Sequence, residues 1–169
     1  MKLTFPLRQH IGVPSEPVVS TGAHVKRGQL IAKKPDASLG ANIFSSVDGT
    51  VDSVNEAEIV INEENTDFSK YEKLSETTPL KLIEESGLVG LGGAGFPTYV
   101  KLGKKFESGG VIAVNAAECE PILSHNIDRI EKEPEQLIEG LKIVMGVVNA
   151  QRGIICLKHI HTEAIEILK

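Results

Sequence analysis

The sequence holds no tryptophan, two tyrosines, five phenylalanines and only two cysteines, Cys119 and Cys156. Two thiols are too few for a disulfide framework, a four-thiolate zinc site or an iron–sulfur cluster. With so few aromatic rings there is no platform for base stacking, and a formal charge of −5 supplies no basic field, so no nucleic-acid partner is expected. No apolar run approaches the roughly 20 residues of a membrane-spanning helix; the longest, 141–148 and 153–157, are short or interrupted. The start, MKLTFPLRQHIG, lacks an apolar core and a small-residue cleavage site, so no secretory signal is expected either. What remains is a cytoplasmic protein that does not insert directly into a membrane. Its 169 residues, 41% of them hydrophobic, are enough to bury a core.

Glycine is unevenly spread. Eight of the 16 lie between Gly87 and Gly110 and split the chain in two. Upstream, short β-type runs at 18–20, 29–32, 42–46, 50–54 and 58–61 are punctuated by Thr21-Gly22, Arg27-Gly28 and Asp48-Gly49. They predict a small all-β module over 1–62, with Asp48-Gly49 as a type I′ hairpin turn. A polar linker follows over 63–78. Thr78 and Pro79 then open a short helix that Gly87 closes.

From Val111 the pattern changes to strand–helix alternation, which predicts a parallel sheet in an α/β unit over 79–169. VIAVN reads as a buried strand. Beyond Pro134, the residues Leu137, Leu141, Val144, Met145 and Val148 form one stripe at helical spacing. GIICL supplies a second strand, and Thr162 is placed to cap a last helix. Two parallel strands are fewer than open parallel sheets normally have, so the chain is expected to be part of a longer protein.

Two clusters carry chemistry. GLGGAG, residues 90–95, fits G-x-G-x-x-G, in which glycines let backbone N–H groups approach a phosphate. The dinucleotide fingerprint needs a strand before that loop, however, and here a helix is predicted, so a phosphate site and a tight structural turn both stay open. NAAECEP, residues 115–121, follows the first strand of the α/β unit, where ligands of such sheets bind. Glu118 and Glu120 could accept hydrogen bonds from ribose or nicotinamide groups and Asn115 could donate to a flavin carbonyl; a solvated strand exit is the alternative. Cys119, between two acids, reads as a packing or cofactor-contacting residue rather than a redox thiol. His159 and His161 are the only close histidine pair, too few for zinc, and no metal site is expected.

GLVGLGGAGFPTYVKL followed by NAAECEP resembles the C subunit of Rnf electron-transport complexes. The same motifs occur in its soluble relatives, the propanediol-utilisation cobalamin reductase and a proline-reductase-associated electron-transfer protein, and more distantly in the flavin- and NADH-binding subunit of respiratory complex I. PVVSTGAHVKRGQLIA and SSVDGTVDSV resemble the barrel-sandwich hybrid, a lipoyl-like β-fold, that begins Rnf C subunits. The implied architecture is that module followed by a truncated Rossmann-like β-α-β-α unit. The implied function is NADH-to-acceptor electron transfer by a flavoprotein.

By that resemblance Gly90, Gly92, Gly93 and Gly95 line an FMN and NADH site, Phe96 sits beside the nucleotide, Lys101 faces the flavin or its phosphate, and Asn115, Glu118 and Glu120 complete the pocket. The resemblance further implies 4Fe–4S clusters only in the remaining part of the parent protein, other electron-transfer subunits or a reductase as partners, and a position on the cytoplasmic face of a membrane complex. No catalytic residue is expected in this chain, which alone should be inactive and bind FMN weakly. The competing reading is a non-catalytic lipoyl-like docking or carrier module.

Overall fold

A computed structural model describes residues 1–169 apart from 66, 68, 92 and 121. The described chain forms two compact units, Met1–Lys101 and Leu102–Lys169.

The first unit contains seven strands: β1 (Lys2–Pro6), β2 (Glu16–Pro17), β3 (His24–Val25), β4 (Leu30–Lys33), β5 (Ile43–Phe44), β6 (Asp48–Val54) and β7 (Glu58–Asn65). They build two antiparallel sheets, β1-β7-β6-β3 and β2-β4-β5. Alternation puts Ile59 and Ile61 of β7 and Val51 of β6 on one face, where they join Leu7, Val25, Ile31, Ala32, Ile43 and Val47 in the core. Ile31, Ile59 and Ile61 are fully buried. Burying each such side chain contributes about 1.5–3 kcal/mol, which is how a module of short strands holds together.

The Asp48-Gly49 hairpin is not formed. Both residues lie within β6, Gly49 does not have a positive φ, and the Asp48 carboxylate accepts the Arg27 N–H at 2.7 Å. Glycine is required there for a different reason: an added Cβ would stand 2.2 Å from the Asn62 carbonyl oxygen. The hairpin of this unit joins β6 to β7, and Asn55 closes it by accepting the N–H groups of Ala57 and Glu58 through its side chain. Residues 18–20 lie outside the strands, although the Val18 N–H still donates to Ile31.

Helix α1 (Pro79–Glu85) starts at Thr78 and Pro79 as expected, without a side-chain cap bond, and Gly87 leaves it at φ +66°. It is anchored on the β module: Asn42 donates to the Glu85 carbonyl at 2.9 Å, and Lys34 pairs with Glu84 at 3.0 Å. The preceding polar segment is tied at two points. Glu72 donates its N–H to Arg27, and the Glu85 carboxylate accepts the N–H groups of Ser75 and Glu76 and the Ser75 hydroxyl. Those bonds hold the Glu85 carboxyl below its ordinary value. A short helix α2 (Thr98–Lys101) ends the unit.

In the second unit β8 (Gly110–Asn115) and β9 (Ala150–Cys156) pair in parallel. Helices α3 (His125–Lys132) and α4 (Pro134–Val148) lie between them in sequence, and α5 (Thr162–Ile167) follows. Ala116, Ile127, Ile130 and Ala164 form its small core with Leu137, Ile155, Leu157 and Leu168. The predicted α4 stripe is used as expected, for an added Cβ at Gly153 would meet Leu141 and Met145 at 2.8 Å. Asn149, at φ +59°, ends α4 in the left-handed conformation.

Three details differ from the sequence reading. Helix α3 was not foreseen. Thr162 is the first helical residue and His161 the cap, with no side-chain cap bond. Finally, β8 is half-buried rather than buried: Val111 is 44% exposed and Ile154 of β9 is 39% exposed, because they lie on the face of this two-stranded sheet opposite the one on which α4 packs against Gly153.

Candidate functional site

GLGGAG connects α1 to α2, so no strand precedes it and it is not a dinucleotide-fold turn. Its base is pinched shut: Val89 and Pro97 form an antiparallel bridge, the Gly90 N–H donates to Phe96 at 3.0 Å, and the Thr98 N–H donates to Leu88 at 2.9 Å. The described residues in between, Leu91, Gly93, Ala94 and Gly95, form a tight loop. Gly93 and Gly95 both take left-handed backbone, at φ +62° and +61°. Among the described residues, the N–H groups of Leu91, Gly93, Ala94 and Gly95 meet no protein acceptor. Successive unpaired N–H groups in a turn of this kind form a concavity suited to an anion.

The loop rests on the segment 9–11 that follows β1. Ile11 donates its N–H to the Ala94 carbonyl at 2.8 Å, and a Cβ on Gly95 would lie 3.1 Å from Gln9 O and 3.2 Å from His10 Cα. Between the two runs a cleft of about 580 Å³ opens, lined by Arg8, Gln9, His10, Ile11, Val89, Gly90, Leu91, Gly93, Ala94 and Gly95. That volume is within the range of small-molecule sites, about 300–1,000 Å³. Lys101 reaches back from α2: its Nζ is 3.4 Å from where a Gly90 Cβ would be and 6.0 Å from the centre of the Phe96 ring. Loop N–H groups, a cation and an aromatic ring are thus gathered around Gly90, Gly93, Gly95, Phe96 and Lys101. Gly92 lies outside the described residues.

The acidic loop is in the second unit. Asn115 ends β8, and its side-chain oxygen accepts the Ala117 N–H at 3.2 Å, which fixes the exit of the chain. Glu118 is only 4% exposed, and one carboxylate oxygen accepts the Asn126 N–H at 2.6 Å while the other accepts the Asn126 side-chain amide at 2.9 Å. It therefore caps the start of α3, the helix to which Asn126 and Ile127 belong. Burial opposes its charge, but the Asn126 bonds and His125, 3.7 Å away, hold the Glu118 carboxyl below the usual carboxylate value. Glu120 and Cys119 are exposed, and Pro121 lies outside the described residues. Asn115, Glu118 and Glu120 lie in one segment at the end of β8, in a different unit from the glycine loop, with Glu118 bonded to α3 and Glu120 exposed.

Arg8 and His10 are the residues that sequence reasoning missed. No periodicity or motif marks them. His10 is 7% exposed; its Nε2 accepts the Ala41 N–H at 3.1 Å, which leaves the ring proton on Nδ1, 3.1 Å from the Ile11 carbonyl. The tip of the β6–β7 hairpin, Asn55, Glu56 and Ala57, carries no lysine, so the acceptor that lipoyl and biotinyl carriers need is missing from it. Among the described residues no group of three His, Cys, Asp or Glu is placed to hold a metal, and no helix is long and apolar enough to cross a membrane.

Comparison with known proteins matches both halves. Residues 83–169 fit the family model described as the Nuo51 FMN-binding domain, and residues 1–69 fit the RnfC barrel sandwich hybrid domain. The chain is 35% identical to the C subunit of the proton-translocating ferredoxin:NAD(+) oxidoreductase complex of Clostridium ljungdahlii, over 99% of this chain and 40% of that one. It is 32% identical to the C subunit of the Na(+)-translocating ferredoxin:NAD(+) oxidoreductase complex of Acetobacterium woodii, over 97% and 41%. With the C subunit of the ion-translocating oxidoreductase complex of Salmonella gallinarum it shares 29% identity, over 99% and 27%. The chain thus spans at most about two fifths of the length of these relatives.

Proposed function

Because the chain belongs to the RnfC family, with a barrel-sandwich hybrid domain followed by a Nuo51-type FMN-binding domain, we propose that its glycine loop and acidic loop contribute to an FMN and NADH site of an electron-transfer flavoprotein. The observation that carries this reading is the run of loop N–H groups without a partner among the described residues, on a loop that lines a cleft of small-molecule size, with Lys101 beside Gly90.

In this proposal Gly90, Gly93 and Gly95 bring backbone N–H groups to a phosphate without a Cβ in the way. Lys101 supplies positive charge beside the loop, and Phe96 offers a ring for a flat ligand to stack on. Asn115 and Glu120 present polar groups at the end of β8, in the manner of strand-end ligand sites in parallel sheets, and Glu118 acts by capping α3. FMN, when bound, supplies the capacity to accept a hydride and release electrons singly. The Rossmann-like character of the second unit, the onward iron–sulfur clusters in the remainder of the parent and its assembly with other electron-transfer subunits belong to the same proposal.

The test is made on the purified full-length parent. A flavin absorbance band that is lost on extraction and restored by added FMN is expected, together with its bleaching by NADH. A full-length protein that neither retains nor takes up flavin would overturn the reading.

A further inference from the structure

We propose that residues 8–11 of the β module form a wall of the nucleotide site, with Arg8 pairing a phosphate group of the ligand across the cleft from the glycine loop; this rests on the functional reading above. Arg8 lines the cleft, is exposed, and makes no hydrogen bond or ion pair with any described residue. Among the described residues that line the cleft it is the only one with a permanent charge, and none of them is a carboxylate. In a chain with a net charge of −5, a concave surface that holds an arginine, unpaired backbone N–H groups and no acid is selective for an anion.

The wall is also rigid. His10 is clamped on both ring nitrogens, by the Ala41 N–H and the Ile11 carbonyl, and Gln9 donates its side-chain amide to Pro6 at 3.0 Å. Ile11 carries this rigidity to the glycine loop through its bond to Ala94. An arginine on a fixed backbone beside fixed donors loses little freedom when it binds, and its planar fork matches two phosphate oxygens at once.

The probes are FMN, riboflavin, which is FMN without its phosphate, and NADH, titrated separately against the full-length parent and its variants. Arg8→Gln should weaken whichever phosphate ligand it faces by about ten- to a hundredfold, the range of one charge-assisted pairing. Riboflavin affinity should stay unchanged. Arg8→Glu should weaken the same ligand further, and Arg8→Lys should restore part of the loss. A selective loss for FMN assigns the flavin phosphate, and one for NADH assigns the dinucleotide. Unchanged affinity for both in Arg8→Gln, while the unaltered parent binds them, overturns the inference and leaves the functional reading standing. Equal losses for FMN and riboflavin also overturn it, by showing that the wall is only structural. A parent that binds neither FMN nor NADH overturns both.

Discussion

Gly93 and Gly95 share one backbone conformation and differ in surroundings, so alanine at each separates the loop's role in binding from its role in folding. At Gly93 an added Cβ meets nothing within 4 Å, so the cost is that of left-handed backbone alone, about 1–2 kcal/mol. In a chain of this length that corresponds to a melting temperature lower by roughly 2–8 °C. At Gly95 the same strain applies, and the Cβ also presses on Gln9 O at 3.1 Å and His10 Cα at 3.2 Å, backbone atoms that can give way only if the loop or the wall shifts. Overpacking of that kind adds about 1–3 kcal/mol. Gly93→Ala should therefore melt only slightly early yet lose FMN affinity at least about tenfold, one decade being 1.4 kcal/mol, because in the proposed site a methyl there would come between the loop N–H groups and the phosphate. Gly95→Ala should lose both stability and affinity. Thermal melts followed by circular dichroism, with FMN titration by fluorescence quenching on the full-length parent, measure the two quantities. Asparagine at 93, which tolerates left-handed backbone, serves as a control for strain. If Gly93→Ala melts as early as Gly95→Ala, or keeps FMN affinity within twofold, the loop is a structural turn and the phosphate argument fails.

Three other outcomes follow from the packing. Glu118 has a lowered native carboxyl value, so its stabilisation is present above the unfolded carboxylate range, near pH 4.3, and is lost as pH falls through the native value. Glu118→Gln should flatten the acid limb of the second unit's stability curve, and equal acid slopes in variant and parent would refute the capping role. Glu85→Ala releases Ser75 and Glu76 and should speed proteolytic cleavage between 69 and 77, while unchanged cleavage rates would show that the segment is held by other contacts. Gly49→Ala places a Cβ 2.2 Å from a backbone oxygen and should give a larger melting loss than Gly93→Ala, with far-ultraviolet dichroism showing whether the β6–β7 ladder survives.

Much of the fold could be read from pattern, and the exceptions share a cause. The turn-bounded, β-branched runs of β6 and β7 and the helical stripe of α4 are long enough to be read as strands and helix. Strands β2 and β3 are two residues each and have no period of their own; they exist because β4 and β6 offer them a ladder. Asp48-Gly49 shows the limit of turn dipeptides. The residue pair is the same whether glycine is needed for positive φ or for the close approach of Asn62, and only the partner strand decides between the two.

The site was legible where glycines cluster and obscure where a side chain serves the backbone. Gly90, Gly93 and Gly95 declare themselves by spacing. What holds their loop in place is His10 and Asn42, far away along the chain, and each works by bonding to main-chain groups: His10 to Ala41 and Ile11, Asn42 to Lys34 and Glu85. Such bonds have no sequence period, because the partner is a peptide group that every residue carries. Glu118 makes the converse point. In sequence it is one of two equivalent acids at a strand end, while in the structure burial separates them: Glu120 is exposed, whereas Glu118 has both oxygens engaged with Asn126. Chemistry that a carboxylate offers to a ligand is available only from the oxygens that the fold has not already used. It follows that in NAAECEP the groups with capacity to spare are those of Glu120 and the Asn115 amide nitrogen, and that in the proposed site Glu118 would contribute only through the helix it starts.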